Sequence, residues 1–243
     1  MAVSIERSTQ NSSPTYYMNA YGDNWHTRWD FADYVVPSNV GCVLSFISAC
    51  GKASSSQGAR KLYDGYTGDG YYSFTENREA YVDQAYGPAA HIHSLRPSVY
   101  KTYNFYSMFQ ESNAVAMGTV FLVSLRGVDT RAADIILSEI ETIGTADTSA
   151  SLAKTKDITA STTLALLSIR TSSIASVVAT SPNTQIIMSS YTQDGSDYLT
   201  SVLFMAPGNV TPISVVWNPS GMYAFSSVTV KGKNISGQAF MAG

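Results

Sequence analysis

The stretch YTQDGSDYLTSVLFM, Tyr191 to Met205, sets the pair Asp194 and Gly195 between two apolar runs. A two-residue hairpin turn needs positive φ at its centre, which Asp-Gly tolerates at little cost, so the stretch predicts two antiparallel strands. The same pattern extends outward in both directions. Short segments rich in β-branched and aromatic residues recur at 25–31, 42–50, 100–106, 119–125, 163–169, 184–190, 199–205, 213–217 and 224–231. Turn residues separate them, among them Pro37, Gly87 with Pro88, Gly127, Pro182 with Asn183, and Asn218 with Pro219. Nine strands predict an all-β fold, a β-sandwich or jelly-roll-like arrangement with minor α.

The helical share rests on two segments. DTRAADIILSEIETIG offers Asp129 as N-cap, apolar residues at Ala132, Ala133, Ile136, Leu137, Ile140 and Ile143, and Gly144 as a stop. In SFTENREAYVDQAYG, Ser73 and Glu76 have capping-box spacing and Gly87 ends the pattern. A length of 243 residues suits one large β-rich domain spanning 1–243. A sub-boundary is marked near residue 145, because 21 of the 28 aromatic residues precede it and a Ser, Thr and Ala-rich tract follows.

Charge is the unusual quantity. Asp, Glu, Lys and Arg make up 14% of the chain, against roughly 25% in an average soluble domain. A monomer of this mass exposes about 10,000 Å², so much of its surface must be neutral. Interface centres are depleted of charge and enriched in Tyr, Trp and Met, which predicts burial between copies in a homo-oligomer. The 15 basic residues are scattered and the net charge is −3, which argues against direct nucleic-acid binding. The segment MAVSIERSTQNSSP carries Glu6 and Arg7 where a secretory signal would be apolar. No run approaches 18 apolar residues. The chain is therefore expected to be made in the cytoplasm without a signal peptide, with no membrane partner. Cys42 and Cys50 sit at opposite ends of one expected strand, about 26 Å apart, beyond disulfide reach. Both read as buried free thiols.

Three places are candidates for binding or interface. In YGDNWHTRWDFADYVV, residues 21–36, a period of two puts Trp25, Thr27, Trp29 and Phe31 on one strand face and His26, Arg28 and Asp30 on the other. Such an aromatic row suits a core, a subunit interface or a sugar-stacking platform. The loop YDGYTGDGYYSF presents Tyr63, Tyr66, Tyr71 and Tyr72 among glycines, a composition suited to recognition. His91 and His93 share a strand face at a spacing that can hold a metal ion, but no third ligand motif accompanies them. Nucleophile-elbow, zinc-protease, Walker and Cys/His signatures are missing, so neither an enzyme nor a cofactor is expected.

These observations favour a self-assembling structural protein, a capsid, tail or appendage subunit of a virus or phage particle, carried in the virion. Its partners would be copies of itself and other particle proteins. Two alternatives stand beside it. A lectin-like carbohydrate module would use the Trp25, Trp29 and Phe31 row, and a β-pore-forming protein would use the tract 145–180.

Overall fold

The computed structural model describes residues 3–13, 15–18, 25–51, 61–64, 75–82, 86–97, 102–111, 115–129, 136–138, 141–152, 161–207 and 212–233. Those residues form sixteen strands: β1 (Ser4–Asn11), β2 (Thr15–Met18), β3 (Trp25–Val35), β4 (Val40–Gly51), β5 (Lys61–Asp64), β6 (Thr75–Tyr81), β7 (Pro88–Leu95), β8 (Thr102–Glu111), β9 (Val115–Arg126), β10 (Ile136–Ser138), β11 (Thr142–Leu152), β12 (Ser161–Thr171), β13 (Ser176–Ala179), β14 (Gln185–Asp194), β15 (Asp197–Pro207) and β16 (Ile213–Lys231). All pairings are antiparallel. They build three sheets. Sheet I runs β1-β9-β4-β7-β6, sheet II runs β10-β16-β12-β15-β14 with β11 and β13 added on β16, and sheet III runs β2-β3-β8-β5. The fold is all-β, made of layered sheets in the manner of a sandwich and without barrel closure.

Sheet I is the middle layer, and β4 shows why. Every residue of VGCVLSFISACG is buried, so both faces of the strand need apolar cover, which the near-continuous apolar run supplies. Cys42, Leu44 and Phe46 face sheet II and meet Leu164, Leu166, Leu203 and Val228. Val43, Ile47 and Ala49 face sheet III and meet Trp29, Phe31, Tyr34, Tyr103 and Phe105. The outer face of sheet II is covered in turn by its own strands. β16 pairs with β12 from Lys231 back to Met222, then bends and pairs with β11 and β13 over Ile213–Asn218. A third core of Leu167, Ile169, Phe204, Trp217 and Phe225 fills the bend. Gly221 permits it, since a Cβ there would collide with the Arg170 carbonyl.

Small hydroxyl residues join sheets I and II across one level of the sandwich. Ser48 and Ser168 share a hydrogen bond at 2.6 Å, and Ser201 donates to Ser48 at 2.7 Å, all three fully buried. Beside them Ser12 and Ser190 share one at 2.6 Å, and Ser226 donates to the Ala90 carbonyl at 3.0 Å. Cross-strand register lines these residues up: Ser168 opposite Ser201, Ser201 opposite Ser190, and Ser48 opposite Thr119.

Both expected helices are strands instead. Ile136–Ser138 is β10, paired with Val228–Val230, and Thr142–Gly144 opens β11; residues 130–135 and 139–140 lie outside the described set. Isoleucines spaced for a helix face also suit a strand, and pairing on β16 overrides the cap and stop. Thr75–Tyr81 is β6, bonded to β7 at the edge of sheet I, where the sequence suggested a helix; Ser73 lies outside the described set. The Pro219 turn is no strand boundary, because β16 passes through it at the bend. The hairpin forms, but one residue further on than expected: Asp194 ends β14 opposite Asp197, so the two-residue turn is Gly195-Ser196, with Gly195 at φ +60°. Residue 145 lies within β11.

At Gly118 in β9, a Cβ would sit 2.5 Å from the Trp29 ring and 3.1 Å from the Ser48 carbonyl. Gly118→Ala therefore overpacks the sheet I and III interface, and is expected to lower stability by about 1–3 kcal/mol. Chemical denaturation of the two proteins side by side checks this, and an unchanged midpoint would contradict the packing.

Candidate functional site

Trp29 and Phe31 are interior. β3 lies against sheet I, and a bulge after Phe31, with Asp33 at φ 54° and its N–H held by Asn104 Oδ1 at 2.9 Å, turns Tyr34 to the same buried side. The Tyr34 hydroxyl reaches Ser124 Oγ at 2.9 Å, and burial raises its pKa. Both rings are enclosed against sheet I, which is the core arrangement among the three that the aromatic row suits. The Trp25 side chain lies outside the described residues, as does that of Tyr63, whose backbone belongs to β5. Tyr66, Tyr71 and Tyr72 lie outside them altogether.

His91 and His93 do share a face of β7, the one turned toward sheet III, beside Ile47 and Ser45 of β4. Both are buried, with ring centroids 6.3 Å apart. Burial pushes His91 down to about 3, and the neighbouring His93 pushes the same way. A neutral, enclosed imidazole is a core residue rather than an open ligand. Among the described residues no three His, Cys, Asp or Glu come together as a metal site. Cys42 and Cys50 are free and buried, and burial pushes the Cys42 thiol up to about 12, which favours its protonated form at neutral pH.

What the fold does present is the outer side of the C-terminal half. From Thr171 to Val230 the sequence carries only two charged residues, Asp194 and Asp197, both at the β14–β15 turn. Asp197 is engaged within the chain by Arg170 at 2.8 Å. On this side stand Ile174, Val178, Ile186, Tyr191 and Val216, whereas Ile143, opposite Ala224 on the face turned toward sheet I, and Val35 are the exposed large hydrophobics found elsewhere among the described residues. Val178 and Val216 are cross-strand partners on the outer layer. Ile174, Ile186 and Tyr191 line a groove of about 400 Å³ between β13 and β14, with Val177 and Val202 in its floor and Gln10, Ser190 and Thr200 as polar members. No charged side chain lines it. Motif reading missed these residues, because a Ser/Thr-rich strand segment carries no signature; the nearly charge-free run was the available signal.

Neither a family model nor a curated protein matches the chain. Among solved structures, a chain of Red Clover Necrotic Mosaic Virus is similar at 12% identity with a TM-score of 0.25, covering 95% of this chain and 98% of that one. A vicilin from Solanum melongena is similar at 9% identity with a TM-score of 0.15, covering 88% and 76%.

A buried neutral His91 has a pH consequence. Its folded value, about 3, lies below the ordinary 6.5, so between those values the unfolded chain binds a proton that the folded chain refuses. The stability contribution is complete above the ordinary value and is lost as pH falls toward the folded one, with a slope approaching about 1.4 kcal/mol per pH unit. Melting curves from pH 7 to pH 4 are expected to fall less steeply for His91→Gln than for the parent. Parallel slopes would show that this imidazole does not titrate on unfolding.

Proposed function

We propose that the chain is a self-assembling structural subunit of a virus or phage particle, joined to its neighbours through the outer side of its C-terminal sheet. The observation that carries the reading is the nearly charge-free tract 171–230, folded so that large apolar side chains stand exposed on it. A soluble monomer ordinarily breaks up such a surface with charge. Interfaces between copies are where charge is sparse and aromatic and aliphatic groups are retained. The particle assignment is supported by the layered all-β fold, the sparse charge and the lack of catalytic motifs in the sequence. Other particle proteins are the remaining class of partner.

Light scattering on the native protein is expected to give a mass well above the 26.2 kDa of one chain, with regular objects in negative stain. A monomeric mass at every concentration at which the protein stays soluble would overturn the reading. Because the contact surface is neutral, assembly should change little with sodium chloride and increase with sulfate, which strengthens apolar burial. Dissociation by moderate sodium chloride would point instead to a contact held by ion pairs.

A further inference from the structure

A strand at the end of a sheet leaves a row of backbone N–H and C=O groups open, and proteins blunt such edges with charges, bulges or short length. The edges here divide sharply by that test. In sheet I, β1 carries Glu6 and Arg7 with a bulge beside them, and β6 carries Glu76, Arg78 and Glu79, again with a bulge. β10 has three residues, and β2, β5 and β13 have four each. β11 is long, but its ladder shifts register twice around Asp147. β14 is different: ten residues, one irregularity near its start between Ile186 and Met188, and a single charge at its last residue, Asp194. Among the described residues it bonds to β15 alone.

We propose that the unpaired edge of β14 pairs antiparallel with the same edge of a second copy, continuing sheet II across a two-fold contact. This rests on the self-assembly reading and names the surface and the partner. The edge suits a copy of itself because an antiparallel pair of identical strands sets no like charges opposite one another between Ile186 and Gln193, where there are none. Its side chains suit it as well. Ile186 lies opposite Phe204 and Tyr191 opposite Thr200, and the bulge between them turns both to the same side, where they are 46% and 53% exposed on the groove. A two-fold axis near the middle of the strand brings Ile186 of each copy toward Tyr191 of the other, an aliphatic-aromatic pairing favoured across strands. The same contact covers the open side of the groove, which is continuous with the neutral outer face.

The test uses the full chain with Ile186→Lys and Tyr191→Lys combined, and Val35→Lys, at an exposed apolar position on sheet III, as control. Light scattering is expected to show loss of the β14-mediated species in the double variant while its melting stays close to that of the parent, and retention of it in the control. Assembly of the double variant at the parent's level would overturn the β14 contact while leaving self-assembly intact. A parent that is monomeric throughout would overturn both. Should the double variant fail to fold, hydrogen exchange on the parent decides: amides between Ile186 and Gln193 gain protection with rising concentration if the edge is used. Protection independent of concentration in an assembling parent would overturn the proposal.

Discussion

Ser48 sits at the middle of the one strand that all three sheets depend on, and its hydroxyl is held by two serines of the opposite sheet, Ser168 and Ser201. Apolar contacts alone would let sheets I and II slide, since Leu, Val and Phe tolerate many relative placements at similar cost. Hydroxyls do not. Sliding either sheet along its strands would leave Ser48, Ser168 and Ser201 buried without partners, at about 1–3 kcal/mol for each. The small side chains also let the two backbones approach at this level, where Phe46 and Leu203 hold them apart on one side and Met117 and Leu199 pack on the other. A fully satisfied polar row thus selects one registration of two apolar faces.

With the two sheets registered, β4 and β9 still have a second apolar face to cover. Sheet III exists for that face, and the aromatic wealth of the N-terminal half is its means. Trp29, Tyr34, Tyr103 and Phe105 supply large buried areas from few strands, and Tyr103 and Phe105 stack at 4.8 Å. The close fit of Trp29 on Gly118 fixes how far β3 can approach β9. The burial of His91 and His93 follows from the same layering, because the central sheet offers β7 no solvent-facing side. A residue pair that resembles a ligand set in one dimension becomes core in three.

The strands most legible in the sequence were the ones buried on both faces. In β4, β9, β12 and β15 almost every position is apolar or small, and the local pattern needs no knowledge of neighbours. In β12 this explains why Leu164 and Leu166 point one way and Leu167 and Ile169 the other: the former enter the core against sheet I, the latter the core under the bent β16. That arrangement leaves β12 without a polar face of the kind the β-pore alternative would need. Illegible features were those set by a partner strand. β6 and β10 are strands because β7 and β16 offer them hydrogen bonds, whatever their own spacing suggests. The bulge at Asp33 reverses the alternation after Phe31, so a strict period of two stops at the point where Tyr34 turns inward. The exposed site was harder still, since whether Ile186 and Tyr191 share a side depends on one bulge in β14.

The contrast among edges also bears on how a growing assembly would stop or continue. A two-fold contact through β14 uses the same patch on both copies and is complete once the pair has formed. Growth beyond a pair therefore has to use a different surface. The outer layer supplies one, because Val178 and Val216 stand on the face of β13 and β16, whereas the β14 contact runs along a strand edge. A strand edge is directional and sets register through backbone bonds. A neutral face of Ser, Thr and Val is only weakly directional and accepts a range of angles. On the proposed assembly, one contact of each kind in the same charge-poor half would give a rigid pair with an adaptable second contact. By the same reasoning, the charged residues in the sequences of β1 and β6 would discourage the edges of sheet I from competing with it.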